Sequence, residues 1–183
     1  MDRLHNAWRP MLLGALLMLV LVGVAGAVPT KQPTSALSTQ RKIVISAGEF
    51  LPADSNVTFS NHTSYLYTLQ NNVDLGFIAP VDFPTHRKVV VDRVELHARD
   101  TNPTGRIRLH LFRTTPSTGA TIGEMAYIDT GIAYTYPSPR TWQDTSISPN
   151  VKWPTQDCLL FAWISDDSNL LLNGATIYYR VAT

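Results

Sequence analysis

The stretch RIRLHLFR, Arg106 to Arg113, sets Arg106, Arg108 and His110 at alternate positions with aliphatic residues between them. The run just before it, VVVDRVELHARD, repeats the device with Arg93, Glu95, His97 and Arg99. Guanidinium forks grip carboxylates and sulfates at two points, so these combs are candidates for holding an anionic polymer. The plainer reading is the solvated side of a half-buried sheet, neutralised in part by nearby acids; it is preferred, because exposed charges on sheets contribute only ~0 to 1 kcal/mol each. Glu95, His97 and His110 have the types of a two-histidine, one-carboxylate metal site, but the flanking arginines oppose a cation, and no metal or other cofactor is expected. Flat rings supply a second chemistry. Tyr134, Tyr136 and Trp142 surround the proline-rich YTYPSPRTW, and Tyr65 and Tyr67 alternate upstream; exposed near loops, such rings stack on the apolar faces of sugars. Against this stands ordinary core or strand-end packing, the commoner fate of aromatics in β proteins.

Those side chains need a scaffold, and the sequence offers strands. From Ile43 onward no stretch sustains a 3.6-residue apolar repeat, while alternating or doubly apolar runs recur between Gly, Pro, Asn and Asp clusters. Candidate strands are Ile43 to Ser46, Tyr65 to Gln70, Leu75 to Ala79, Val89 to Arg99, Arg106 to Thr114, Met125 to Ala133, Thr141 to Ile147, Cys158 to Ser165 and Ala175 to Val181. TNPTG, TPSTG, YPSPR, SPNVKWPTQD and SDDSN punctuate them as turns. The expected fold is all-β: a two-sheet antiparallel β-sandwich, jelly-roll-like, preceded by an N-terminal signal or anchor helix. CLLFAWI is apolar at both parities and should be a central strand covered on both faces, which assigns Trp163 to the core; the closing ATIYYRV is set beside it. Trp153 is undecided. The combs flank DTNPTG as the arms of a hairpin would, with Arg99 opposite Arg106, Glu95 across from His110 and Arg93 across from Phe112. Val94, Leu96, Ala98, Ile107, Leu109 and Leu111 then face the core.

The chain has 183 residues and a formal charge of +1. Beyond residue 27 the 13 basic and 13 acidic residues cancel, so the long-range field of a nucleic-acid binder is missing. Residues 1–27 read as a cleavable export signal: Arg3 and Arg9 precede an uncharged Met11 to Gly26, and Ala25-Gly26-Ala27 supplies small residues for cleavage. Uncleaved, the segment would be a membrane anchor near the lower limit of ~17 to 25 residues, and the membrane is expected as a partner only in that form. Residues 28–42 read as a flexible linker and 43–183 as the β-sandwich domain. Cys158 is the only cysteine, so no disulfide forms within the chain, and its apolar setting predicts a buried thiol. Asn56 and Asn61 head glycosylation sequons. Asp166, Asp167 and Asn169 offer oxygens for calcium but fall short of the ~6 to 8 ligands the ion takes, so a turn is expected.

No GxSxG, HExxH, GxGxxG or P-loop occurs, and no catalytic residue is assigned. AGEFLP at Ala47 to Pro52, GFIAPVDFP at Gly76 to Pro84, the double comb and the closing LNGATIYYR together resemble a group of exported bacterial proteins of unknown function, with an F-x-P opening, an APV-x-x-P segment and a final G-x-x-I-x-Y. The pattern departs at PTHRKVVV, where that group tends to have a glycine turn. The resemblance implies export and a jelly-roll-like sandwich, and no activity. The expected function is that of a secreted or cell-surface, non-enzymatic module that binds a glycan or other surface component. The runner-up is a self-assembling subunit of a surface layer, shell or filament, since sheet faces and edges mediate symmetric contacts. A small secreted hydrolase with paired carboxylates from distant strands is the third reading.

Overall fold

The computed structural model describes residues 39–69, 74–84, 86–132, 135–165 and 169–182. The expected export segment, most of the linker, Tyr134, and Asp166 and Asp167 of the weighed calcium loop lie outside them. None of the described helices is long and apolar enough to cross a membrane.

Twelve strands run β1 Arg41–Ser46, β2 Leu51–Pro52, β3 Phe59–His62, β4 Tyr65–Thr68, β5 Leu75–Val81, β6 Val89–Asp100, β7 Ile107–Thr114, β8 Thr121–Asp129, β9 Tyr136–Asp144, β10 Val151–Lys152, β11 Asp157–Ile164 and β12 Leu170–Val181. They form two antiparallel sheets. In the seven-stranded sheet β6 and β12 pair centrally; β9 and β10 share the free side of β6, β1 and β4 share that of β12, and β3 lies beyond β4. The five-stranded sheet runs β2-β5-β11-β7-β8. The expected all-β, two-sheet sandwich is what the chain forms.

Alternation decides what lies between the sheets. In β6, Val89, Val91, Val94, Leu96 and Ala98 are buried while the residues between them are half-exposed; in β7, Ile107, Leu109 and Leu111 are buried, and in β11 Leu160, Ala162 and Ile164. A one-residue slip would exchange these sets for arginines, so burial holds the register. Cys158 is buried against the Met125 sulfur at 3.9 Å, and burial pushes its thiol up to about 12, so it stays protonated at neutral pH.

Three sequence expectations fail for local reasons. The combs are not arms of a hairpin: β6 belongs to the seven-stranded sheet and β7 to the five-stranded one, and residues 101–106 carry the chain across. Asp100 drives this. It lies fully buried at the inward end of β6, its carboxylate accepting the Asn102 N–H at 3.1 Å and the Thr130 hydroxyl at 2.8 Å, while Thr130 accepts the Ile107 N–H at 3.0 Å. These bonds stitch the crossing to the start of β7 and the end of β8. The YPSPR segment is strand, not turn: Pro137 and Pro139 sit in β9 at the register shift between Ala98–Arg140 and Asp100–Tyr136, where the ladder with β6 is already interrupted and proline is tolerated. The last strand does not lie beside β11; β12 starts at Leu170, five residues earlier than expected, and is central in the other sheet.

The motif glycine of the closing segment has a backbone reason. Gly174 follows a register shift in β12 and takes φ +138°, and a Cβ there would stand 2.4 Å from the Ile45 carbonyl oxygen of β1. Only glycine fits that conformation and that approach. The F-x-P opening also has a place: Phe50 is fully buried, and Leu51 and Pro52 pair with Ile78 and Phe77 just before the APV motif.

Candidate functional site

The outer face of the five-stranded sheet is built from residues of opposite parity to the core. Register places Leu51, Ile78, Phe161, His110 and Tyr127 in one row across all five strands. To one side lie Pro80, Leu159, Phe112 and Glu124; to the other, Gly76, Trp163, Arg108 and Asp129. The half on β2, β5 and β11 is apolar and the half on β7 and β8 is polar.

Between the halves is a groove of about 410 Å³ lined by Ile78, Phe112, Leu159, Phe161, Trp163, Gly119 and Thr121, the last two from the β7–β8 connection and the start of β8. Phe161 and Trp163 stand 4.8 Å apart at 44°, and both are only half-buried. Gly76 seats Phe161: a Cβ there would lie 2.6 Å from the ring tip. Phe112 stacks on His110, centroids 5.4 Å apart and planes at 4°, and Tyr127 leans on the same imidazole at 4.8 Å.

The polar half is closed by ion pairs. His110 Nδ1 meets Glu124 at 2.8 Å, Arg106 meets Asp129 at 3.3 Å, and Arg108 is held by Asp74. Tyr127 donates its hydroxyl to Asp129 at 2.9 Å, and burial, followed by that bond, raises its phenol above the usual range. A surface of this kind offers C–H faces a floor of rings and hydroxyls a strip of acceptors and donors; it holds no nucleophile–base pair, and no group of three metal-ligating side chains occurs among the described residues.

The structure separates the residues singled out in the sequence. Arg108 and His110 lie beside the groove, opposite Trp163 and Phe161 in register, and Arg106 stands just before β7; none of the three is among the residues that line it. Arg93 and His97 lie on the outer face of the seven-stranded sheet, so the expected pairings of Glu95 with His110 and of Arg93 with Phe112 do not occur. Arg93 forms an ion pair with Glu95 at 3.2 Å and rests 3.9 Å over the Tyr178 ring; His97 bridges the Thr141 and Thr176 hydroxyls at 3.0 and 2.8 Å. Tyr136 and Trp142 share β9, in edge contact at 5.5 Å, with Arg140 over the Tyr136 ring at 4.2 Å and Trp142 packed against the core. Tyr65 and Tyr67 face outward on β4, stacked 6.1 Å apart beside His62.

Phe161, Trp163, Leu159 and Ile78 were missed as surface residues, and Trp163 is corrected from core to groove. The signal was present. β11 is central and doubly apolar as expected, yet two sheets enclose one core, and no strand was left over to cover its second face.

The sequence matches no protein-family model and no curated protein, so the resemblance to exported bacterial proteins finds no counterpart there. Solved structures do match. The C-terminal CBM6 of LamC, a marine laminarinase from Zobellia galactanivorans, aligns at TM-score 0.43 and 14% identity over 78% of this chain and 100% of that one. The CBM22-1–GH10 modules of the Clostridium thermocellum N-terminal endo-1,4-β-D-xylanase 10B, complexed with xylohexaose, give 0.44 and 7% over 80% of this chain and 28% of that one. The infectious bursal disease virus Gx strain structure gives 0.42 and 11% over 80% of this chain. The chain spans about a third of the length of that viral chain.

Proposed function

We propose that this is an exported, non-enzymatic carbohydrate-binding module of jelly-roll-like architecture, acting outside the cell or on its surface, and that a glycan chain lies in the groove of the five-stranded sheet. One observation carries the reading: Phe112, Phe161 and Trp163 line a groove with Thr121, and the hydrogen-bonding strip of β7 and β8 runs beside it. An apolar docking surface would lack the polar half, and a solvated face would lack the rings. The sugar's C–H face rests on Phe161 and Trp163, and its hydroxyls reach toward His110, Arg108 and the acids beside them. The charge-free Met11 to Gly26 with its small-residue end supports the export part of this reading.

Calorimetric titration of the domain with soluble polysaccharides tests this. Binding should be saturable, and Trp163→Ala should weaken it about tenfold or more, a loss of about 1.4 kcal/mol, with the thermal midpoint nearly unchanged. A wild-type domain that dimerises in sedimentation while Trp163→Ala stays monomeric, with no polysaccharide bound, would overturn the reading and make the groove a self-association face.

A further inference from the structure

The charges beside the groove bear on which glycans it admits. Four acids lie on this face: Asp74, Glu124 and Asp129, and Asp157, which continues the outward parity of β11 beside Leu159. Against them stand Arg106, Arg108 and His110. Each of these three is already bonded to an acid of its own, and even with His110 protonated the face carries no positive surplus. Arg113 adds none, because its guanidinium turns away to the Val151 carbonyl of the other sheet at 3.3 Å. A carboxylate or sulfate arriving at this face would have to displace Asp74 or Glu124 from its partner and meet Asp157 as a further like charge, while Arg106 stays with Asp129, so like charge opposes it. Hydroxyls face no such cost, since ionised carboxylates accept hydrogen bonds from them readily.

We infer that the ligand is a neutral polysaccharide, and that Asp74 and Glu124 act as built-in counter-ions that exclude uronate- and sulfate-bearing chains. The inference rests on the glycan reading above and specifies it. The apparent anion trap of the sequence is thereby a filter against anions.

The experiment pairs neutral probes, a soluble β-glucan and a xylan, with alginate and heparin as the uronate and sulfated probes, at low and high salt. The wild-type domain should bind a neutral probe with an affinity that salt changes by less than about twofold, and neither anionic probe. Asp74→Asn combined with Glu124→Gln should gain heparin or alginate binding that weakens as salt rises, since Arg108 and His110 are then released. Wild-type binding to an anionic probe that is lost in Trp163→Ala would overturn the inference while leaving the glycan reading intact. Failure to bind any of the four removes the glycan reading and the inference with it. A double variant that folds and gains no anionic ligand would show that the two acids are not the filter.

Discussion

The two outer faces of the sandwich are made by the same alternation of residues and end in opposite conditions. On the seven-stranded sheet, outward side chains satisfy each other across strands: His97 spans β9 to β12, Tyr178 donates to Glu95 at 3.2 Å beneath the Arg93 guanidinium, and Arg180 holds Asp92 through a fork at 2.6 to 3.1 Å with Gln40 adding a third donor. Arg93 and Arg140 cover the Tyr178 and Tyr136 rings there, and two bonded groups result, one about Glu95 and His97 and one about Asp92. On the five-stranded sheet the polar residues pair off along β7 and β8 and leave the rings of β11 uncovered. Charge on a sheet is thus no guide to binding until its partners are known. What is available to a ligand is the surface whose neighbours have not used it.

The largest expected effect falls on the backbone of the seven-stranded sheet, where β1 meets β12. Gly174→Ala would force a disfavoured backbone conformation and a clash with the Ile45 carbonyl, and should cost about 3 kcal/mol in chemical denaturation. Gly119, also at positive φ, has open space around it, so Gly119→Ala should cost only about 1 kcal/mol. Equal losses would mean that backbone conformation alone, and not the approach of β1, makes Gly174 necessary.

A second pair of changes separates the faces. His97→Ala removes the bridge between β9 and β12 and should lower stability by about 1 kcal/mol, leaving polysaccharide titrations unmoved. Trp163→Ala should do the reverse. A His97 variant that lost binding would place the ligand on the wrong sheet.

How far these assignments were legible from the chain depends on what each residue answers to. Leu109 and Leu96 answer to burial, which alternation records directly, so both inward rows were readable. The partner of β7 answers to Asp100 and Thr130, thirty positions apart, and DTNPTG has the same composition whether it turns back or crosses over. Pro137 and Pro139 looked like turn residues because the register shift that tolerates them is a property of the sheet, not of the segment. Trp163 was misplaced through an assumption about cover, and counting strands would have exposed it. Arg106, Arg108 and His110 were rightly seen as outward; their pairing with Asp129, Asp74 and Glu124 depends on strand order, which spacing does not carry.

Acid titration sharpens the contrast between surface and interior carboxylates. The Arg180 fork holds Asp92 below the usual carboxylate range, so its stabilisation is present above that range and lost as pH falls through the depressed value. Burial pushes Asp100 up, with the Thr130 and Asn102 bonds opposing, so its contribution favours the fold at low pH and is lost as pH rises through the raised value. In thermal melts between about pH 3 and 6, Asp92→Asn should flatten the decline on acidification and Asp100→Asn should steepen it. Parallel slopes in both variants would break the distinction.

The smallest expected effect is also the most specific to the groove. Gly76 lies beneath the Phe161 ring, and the added methyl of Gly76→Ala would meet the free end of a side chain, with Ala53 at 3.4 Å on its other side. A ring tip can swing where a backbone carbonyl cannot, so stability should change by less than about 1 kcal/mol. The swing has one direction open to it. Phe161 is anchored at its Cβ in the centre of the sheet and must tilt outward, toward the space the sugar would fill and against Trp163, 4.8 Å away. Binding should therefore fall severalfold in Gly76→Ala with the melting curve scarcely shifted, and adding Phe161→Leu, which gives the methyl room, should not bring back the affinity that the ring supplied.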